Sequence, residues 1–99
     1  MNDFDAFKNN FLNKSRHHSK LIKFVYPELC KIKNSNILEF GVSEKAMSTE
    51  LFLKYSNFNN CKLFSVDSAN FSSKFKDKNW EFIHSRDDDY EKILKIVPK

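Results

Sequence analysis

Residues 37–49 read Ile37-Leu38-Glu39-Phe40-Gly41-Val42-Ser43-Glu44-Lys45-Ala46-Met47-Ser48-Thr49, and they pass from an apolar run through a glycine into a helical pattern. Ile37–Phe40 is short, mostly apolar and stopped by Gly41, which predicts a buried strand. Met47, Leu51, Phe52 and Tyr55 then recur at helical spacing and predict a helix with one apolar stripe. A glycine between strand and helix lets the backbone turn sharply and lets a ligand approach it closely.

The same alternation continues toward the C-terminus. Lys62-Leu63-Phe64-Ser65-Val66 is a second strand ending at Asp67, residues 68–79 form a polar loop, and Trp80-Glu81-Phe82-Ile83-His84 is a third strand. Asp87, Asp88 and Asp89 are expected in the first turn of a last helix, where carboxylates suit the helix dipole. Tyr90, Ile93, Leu94 and Val97 would be its buried face, with Pro98 after its end. Strands alternating with helices imply an α/β fold, here a partial Rossmann-like parallel sheet of about three strands.

Toward the N-terminus the pattern is helical, giving one or two leading helices. Phe4, Phe7, Phe11 and Leu12 fall on one face behind Asn2 or Asp3 as caps, and Leu21, Phe24, Val25 and Leu29 continue an apolar face. Pro27 either kinks that helix or starts a new short one. Ser15-Arg16-His17-His18-Ser19 is expected to be a linking loop, and Asn34-Ser35-Asn36 a turn. The expected organisation is a helical segment over 1–35 and a Rossmann-like domain over 36–99.

Bulk properties narrow the function. Ninety-nine residues with 40% apolar content and 11 Phe suit an ordered domain with a modest core. Apolar runs of about three residues are too short to span a membrane, and the acidic, polar start MNDFDAFKNN is not a secretory leader. Cys30 and Cys61 lie far apart without metal-ligand spacing; free thiols fit a reducing, cytoplasmic setting. Adjacent His17 and His18 point in different directions on a helix, so no metal is expected. The net charge of +4 comes from 15 Lys and two Arg scattered along the chain. With so little Arg, no nucleic-acid partner is expected from composition.

Two carboxylates carry the chemistry. The start of the helix near Ala46–Thr49 offers unpaired backbone N–H groups. Glu39, two residues before the glycine, would repel a pyrophosphate there but suits a ligand carrying ammonium and sulfonium charge. Asp67 stands 21 residues beyond Ala46, at a strand end where a carboxylate accepts hydrogen bonds from both hydroxyls of a ribose.

The stretch ILEFGVSEKAMSTELFL…KLFSVD…WEFIHSRDDD resembles class I S-adenosylmethionine (SAM) dependent methyltransferases, in particular members acting on small molecules or sugars. The likeness covers roughly residues 36–97 and rests on an E-x-G-V-x-x-x-G-x-S-T pattern. It implies that Glu39, Gly41, Val42 and Ser43 line the methionine side of SAM. Ser48 and Thr49 would start the helix beneath it, Asp67 would hold the ribose, and Ser85, Arg86 and Asp87 would lie near the adenine. Ala46 replaces the second glycine of the pattern. The resemblance also implies that the chain holds the cofactor-binding half alone, so that it is expected to be inactive by itself and to self-associate through an unfinished sheet. The methyl acceptor and any catalytic group are unassigned. The alternatives are a non-catalytic nucleotide-binding or interaction module of the same shape, and a fragment of an NAD(P)-dependent enzyme.

Overall fold

The computed structural model describes residues 3–97; the expected roles of Asn2 as a cap and of Pro98 as a helix stop lie outside the described residues. The chain forms two compact units, Met1–Lys33 and Asn34–Lys99.

The first unit is helical. α1 spans Asp3–Leu12, α2 Arg16–Lys20 and α3 Tyr26–Leu29, with a π-helical turn, Leu21–Val25, joining α2 to α3. α1 buries Phe4 and Phe11. Phe4 stacks on Tyr26 with centroids 5.8 Å apart, and Phe11 meets the His18 ring edge-on at 4.6 Å. The segment Ser15–Ser19, expected as a loop, is helical from Arg16 onward. Ser15 is its N-cap and accepts from the His18 amide at 3.2 Å, supplying a partner for an otherwise orphaned donor. Pro27 lies in the first turn of α3, directly after the π turn, and donates no backbone hydrogen bond to it. Phe24, expected inward, is 72% exposed. The wide π turn, closed by the Tyr26 amide on the Leu21 carbonyl, adds a residue to the turn and shifts the inward register.

The second unit is α/β. Its strands β1 (Asn36–Phe40), β2 (Lys62–Asp67) and β3 (Trp80–His84) form a parallel sheet in the order β1-β2-β3. This is one half of a doubly wound Rossmann-like order. In register, Ile37 faces Leu63 and Leu63 faces Trp80; Glu39 faces Ser65. Two crossovers connect these strands. The first carries α4 (Met47–Phe58), and the second, residues 68–79, has no helix. Asn57 on α4 ties down that loop by donating to Asp77 at 2.7 Å and accepting from Asn79 at 2.6 Å.

Alternation along the strands places Ile37, Glu39, Leu63, Ser65 and Trp80 on one sheet face and Leu38, Phe40, Phe64, Val66 and Ile83 on the other. On the first face α4 buries Leu51, Leu53 and Tyr55; Leu53 was not in the expected stripe. On the second, Phe64, Val66 and Ile83 pack with Ile93 of α5 (Tyr90–Ile96), joined by Ile96 and Val97. Tyr90 and Leu94, expected to be buried, are 66% and 59% exposed. The cause is a later helix start: Asp89 is the N-cap and accepts from the Lys92 amide at 3.3 Å. Asp87 and Asp88 therefore precede α5 rather than form its first turn, and the inward face rotates to Ile93, Ile96 and Val97.

Candidate functional site

The turn between β1 and α4 is built on left-handed backbone. Gly41 has φ +90°, while Ser43 and Ala46 have φ 65° and 49°. A side chain resists this region, so glycine at 41 meets a conformational demand. It meets no demand for space, because a Cβ there would find nothing within 4 Å. The backbone above Gly41 is therefore open to a ligand. The Gly41 amide itself is spent on the Val66 carbonyl at 2.7 Å, which pins the turn to β2. Ala46, which replaces the second glycine of the pattern, keeps the glycine-like conformation with φ 49° and ψ 38°.

Asp67 ends β2 beside this turn. Its Oδ2 accepts from the Val42 amide at 2.8 Å and from the Ser43 amide at 3.4 Å, and its Oδ1 accepts from the Ala69 amide at 2.9 Å. Burial pushes the carboxyl up, but the backbone N–H groups of Ala69, Val42, Ser43 and Ser68 outweigh that and hold it below the ordinary value of 3.8. A carboxylate has about four lone-pair sites, so with three amides on it Asp67 retains one acceptor site. It borders a cleft of about 390 Å³ lined by Phe40, Gly41, Val66, Asp67, Ser68, Arg86 and Asp87. That volume lies at the low end of the ~300–1,000 Å³ typical of small-molecule sites. The cleft opens at the carboxyl ends of parallel strands, the usual ligand position in such sheets. Phe40, half exposed, gives it an apolar wall.

Glu39 does not line the cleft. It is buried, and its Oε1 accepts from Thr49 Oγ1 at 2.6 Å and from Ser65 Oγ at 2.8 Å, while its Oε2 accepts from Ser48 Oγ at 2.6 Å. Trp80 Nε1 donates to Ser65 Oγ at 3.0 Å and closes the network. Ser48 and Thr49 stand in the first turn of α4, so Glu39 places a carboxylate at the positive end of the helix dipole. No side chain caps the α4 N-terminus directly; Glu39 binds the hydroxyls of its first turn and none of its amides.

The ten expected site residues fall into four places. Gly41, Asp67, Arg86 and Asp87 line the cleft. Val42 and Ser43 contribute amides to Asp67 at its rim. Glu39, Ser48 and Thr49 form the buried network behind it. Ser85 is buried under the cleft, with its amide on the Asp67 carbonyl at 3.0 Å and its hydroxyl on the Arg86 carbonyl at 3.0 Å. Arg86 Nη2 binds Asp88 at 2.8 Å, both side chains largely exposed. Phe40, Val66 and Ser68 were not anticipated in the lining, nor Ser65 and Trp80 in the network. Their signal was adjacency: Phe40 precedes the glycine, Val66 and Ser68 flank Asp67, and Ser65 shares a register row with Glu39.

Among the described residues no group of three or more His, Cys, Asp or Glu side chains could hold a metal ion. No described helix is long and apolar enough to cross a membrane, and Cys30 and Cys61 are free thiols. Comparison with family models, with curated proteins and with solved structures found no match for this chain.

Proposed function

We propose that the Asn34–Lys99 unit binds S-adenosylmethionine as the cofactor-binding part of a class I type methyltransferase, acting on a small-molecule or sugar acceptor in a cytoplasmic setting. The observation that carries this is the cleft over Gly41 with Asp67 at its edge. Asp67 accepts one ribose hydroxyl at the site that the Val42, Ser43 and Ala69 amides leave, the half-exposed Phe40 ring packs against apolar parts of the ligand, and Arg86 and Asp87 border the adenine side. When bound, SAM supplies an electrophilic methyl group. The contribution of these residues is binding and orientation, through which positioning accelerates transfer.

Glu39 supports SAM over a dinucleotide. A pyrophosphate needs the bare N-terminus of the helix after the glycine turn. Here a carboxylate sits on the first turn of that helix, bonded to Ser48 and Thr49, and disfavours an anion there.

One observation favours the non-catalytic alternative. Both oxygens of Asp67 already accept backbone amides, so the carboxylate also has a structural role. Calorimetric titration with SAM, S-adenosylhomocysteine and NAD separates the two. Binding of the first two, weakened about tenfold in Phe40→Ala, supports the proposal. Binding of NAD alone overturns it, and absence of all binding by a folded chain favours the interaction module. Phe40→Ala is the chosen variant because half of that ring is already in solvent, so the fold survives its loss.

A further inference from the structure

The charge of this protein is unevenly divided. Met1–Lys33 holds seven of the 17 Lys and Arg but only three of the 13 carboxylates, and Asn34–Lys99 holds ten of each. The whole net charge of +4 therefore belongs to the helical unit. It is concentrated further, because no carboxylate occurs between Asp5 and Glu28. Along α2 and the π turn, Arg16, Lys20 and Lys23 recur one turn apart, all exposed. None of the three is in an ion pair among the described residues. Phe24 adjoins Lys23 and is 72% exposed, the one large apolar side chain so exposed among the described residues of this unit. Arg16 to Phe24 spans about 12 Å of helix axis.

From this juxtaposition of three unpaired cations and one presented phenyl ring, we infer that the outer face of Arg16–Phe24 binds single-stranded nucleic acid, the cations following phosphates and Phe24 stacking on a base. Basic side chains interleaved with an exposed aromatic are the elements of sequence-tolerant single-strand binding. Lysine serves phosphate as a point charge, so the scarcity of arginine limits base reading and not backbone affinity. A membrane surface fits less well. Interfacial binding scales with apolar area, and Leu21, Ile22, Val25 and Leu29 of the same helical run are half-buried or buried, which leaves one ring to insert. One ring is, by contrast, a complete stacking platform for one base. A duplex fits less well because its bases are already stacked. The inference is independent of the cofactor proposal, since every residue in it belongs to the first unit.

The test is fluorescence anisotropy of a labelled 20-nucleotide oligo-dT titrated with the full chain at 50 mM salt. We expect saturable binding that weakens about fifteen-fold at 200 mM salt, the slope of about −2 for three phosphates on a single strand. Phe24→Ala weakens binding at least about five-fold, and the double variant Lys20→Glu/Lys23→Glu abolishes it. Lys78→Glu/Lys95→Glu makes the same change in net charge at exposed positions of the other unit and leaves affinity within two-fold. Circular dichroism confirms that each variant is folded; all five side chains are exposed. Absence of binding by the wild type overturns the inference. So does equal affinity for duplex DNA, for phosphatidylserine vesicles or for polyglutamate, and so does a Phe24→Ala variant that binds as the wild type.

Discussion

Glu39 and Asp67 look equivalent in sequence, each an acid at a strand end, yet they do different work. Glu39 is an acceptor for three hydroxyls in a buried network. Removing it orphans Thr49 and Ser65, both without solvent exposure, at about 1–3 kcal/mol for each buried unsatisfied group. Glu39→Ala should therefore unfold the second unit at ambient temperature, whereas Glu39→Gln, which keeps the shape and one acceptor oxygen, should leave a folded chain with a lowered Tm. Emission of Trp80, the single tryptophan, reports this directly because its indole N–H ends the same network. Asp67 predicts a pH dependence. Its carboxyl is held below 3.8 by backbone N–H groups in the folded chain. Its stabilising contribution is therefore complete above the unfolded value of about 3.9 and is lost as pH falls through the lower folded value. Asp67→Asn should lower Tm at pH 7, and its deficit relative to the wild type should shrink below pH 4. A deficit independent of pH from 7 to 3 would contradict this origin.

At the scale of elements, helix ends decide what is presented. α5 starts after its N-cap Asp89, and that start sets which side of the helix meets Phe64, Val66 and Ile83. Asp89→Ala should cost about 1 kcal/mol, seen as a drop of roughly 4–8 °C in Tm for a domain of this size. It should also raise amide exchange in the first turn of α5, with little change in β1–β3. In the first unit, the Ser15 cap and the π turn together turn Phe24 outward. Both effects depend on where a helix begins or widens, and an apolar residue at the right spacing is insufficient to predict its burial.

At the scale of the molecule, the two units differ in size and in kind. Thirty-three residues bury little apolar surface, and units below about 40 residues are marginal by themselves. In native-state hydrogen exchange of the full chain, amides of α1–α3 should exchange at least tenfold faster than those of β2, the central strand. Uniform protection across both units would refute this. Among the described residues β1 pairs only with β2, and Leu38 on it is 39% exposed. The sequence Asn36–Phe40 has neither lysine nor proline to guard that edge. We expect concentration-dependent self-association in sedimentation velocity, suppressed in Leu38→Lys, which puts a charge on the edge.

The α/β pattern follows from local residue order alone. Periodicity and turn residues act over a few neighbours, and every strand, α4 and the glycine turn were legible for that reason. Residue order also located a cleft margin, because Gly41 and Asp67 sit at ends of strands that local pattern defines. Side-chain direction, by contrast, is set by packing between elements. Whether a carboxylate turns toward a cleft or toward a helix end depends on which hydroxyls and amides lie across the sheet. Ser65 reaches Glu39, and Trp80 reaches Ser65, only through parallel register, and the Val42 and Ser43 amides reach Asp67 only once β1 and β2 are side by side. The exposure of Phe24, Tyr90 and Leu94 was likewise decided by helix starts and by the π turn, which fix rotation about an axis that spacing alone leaves free.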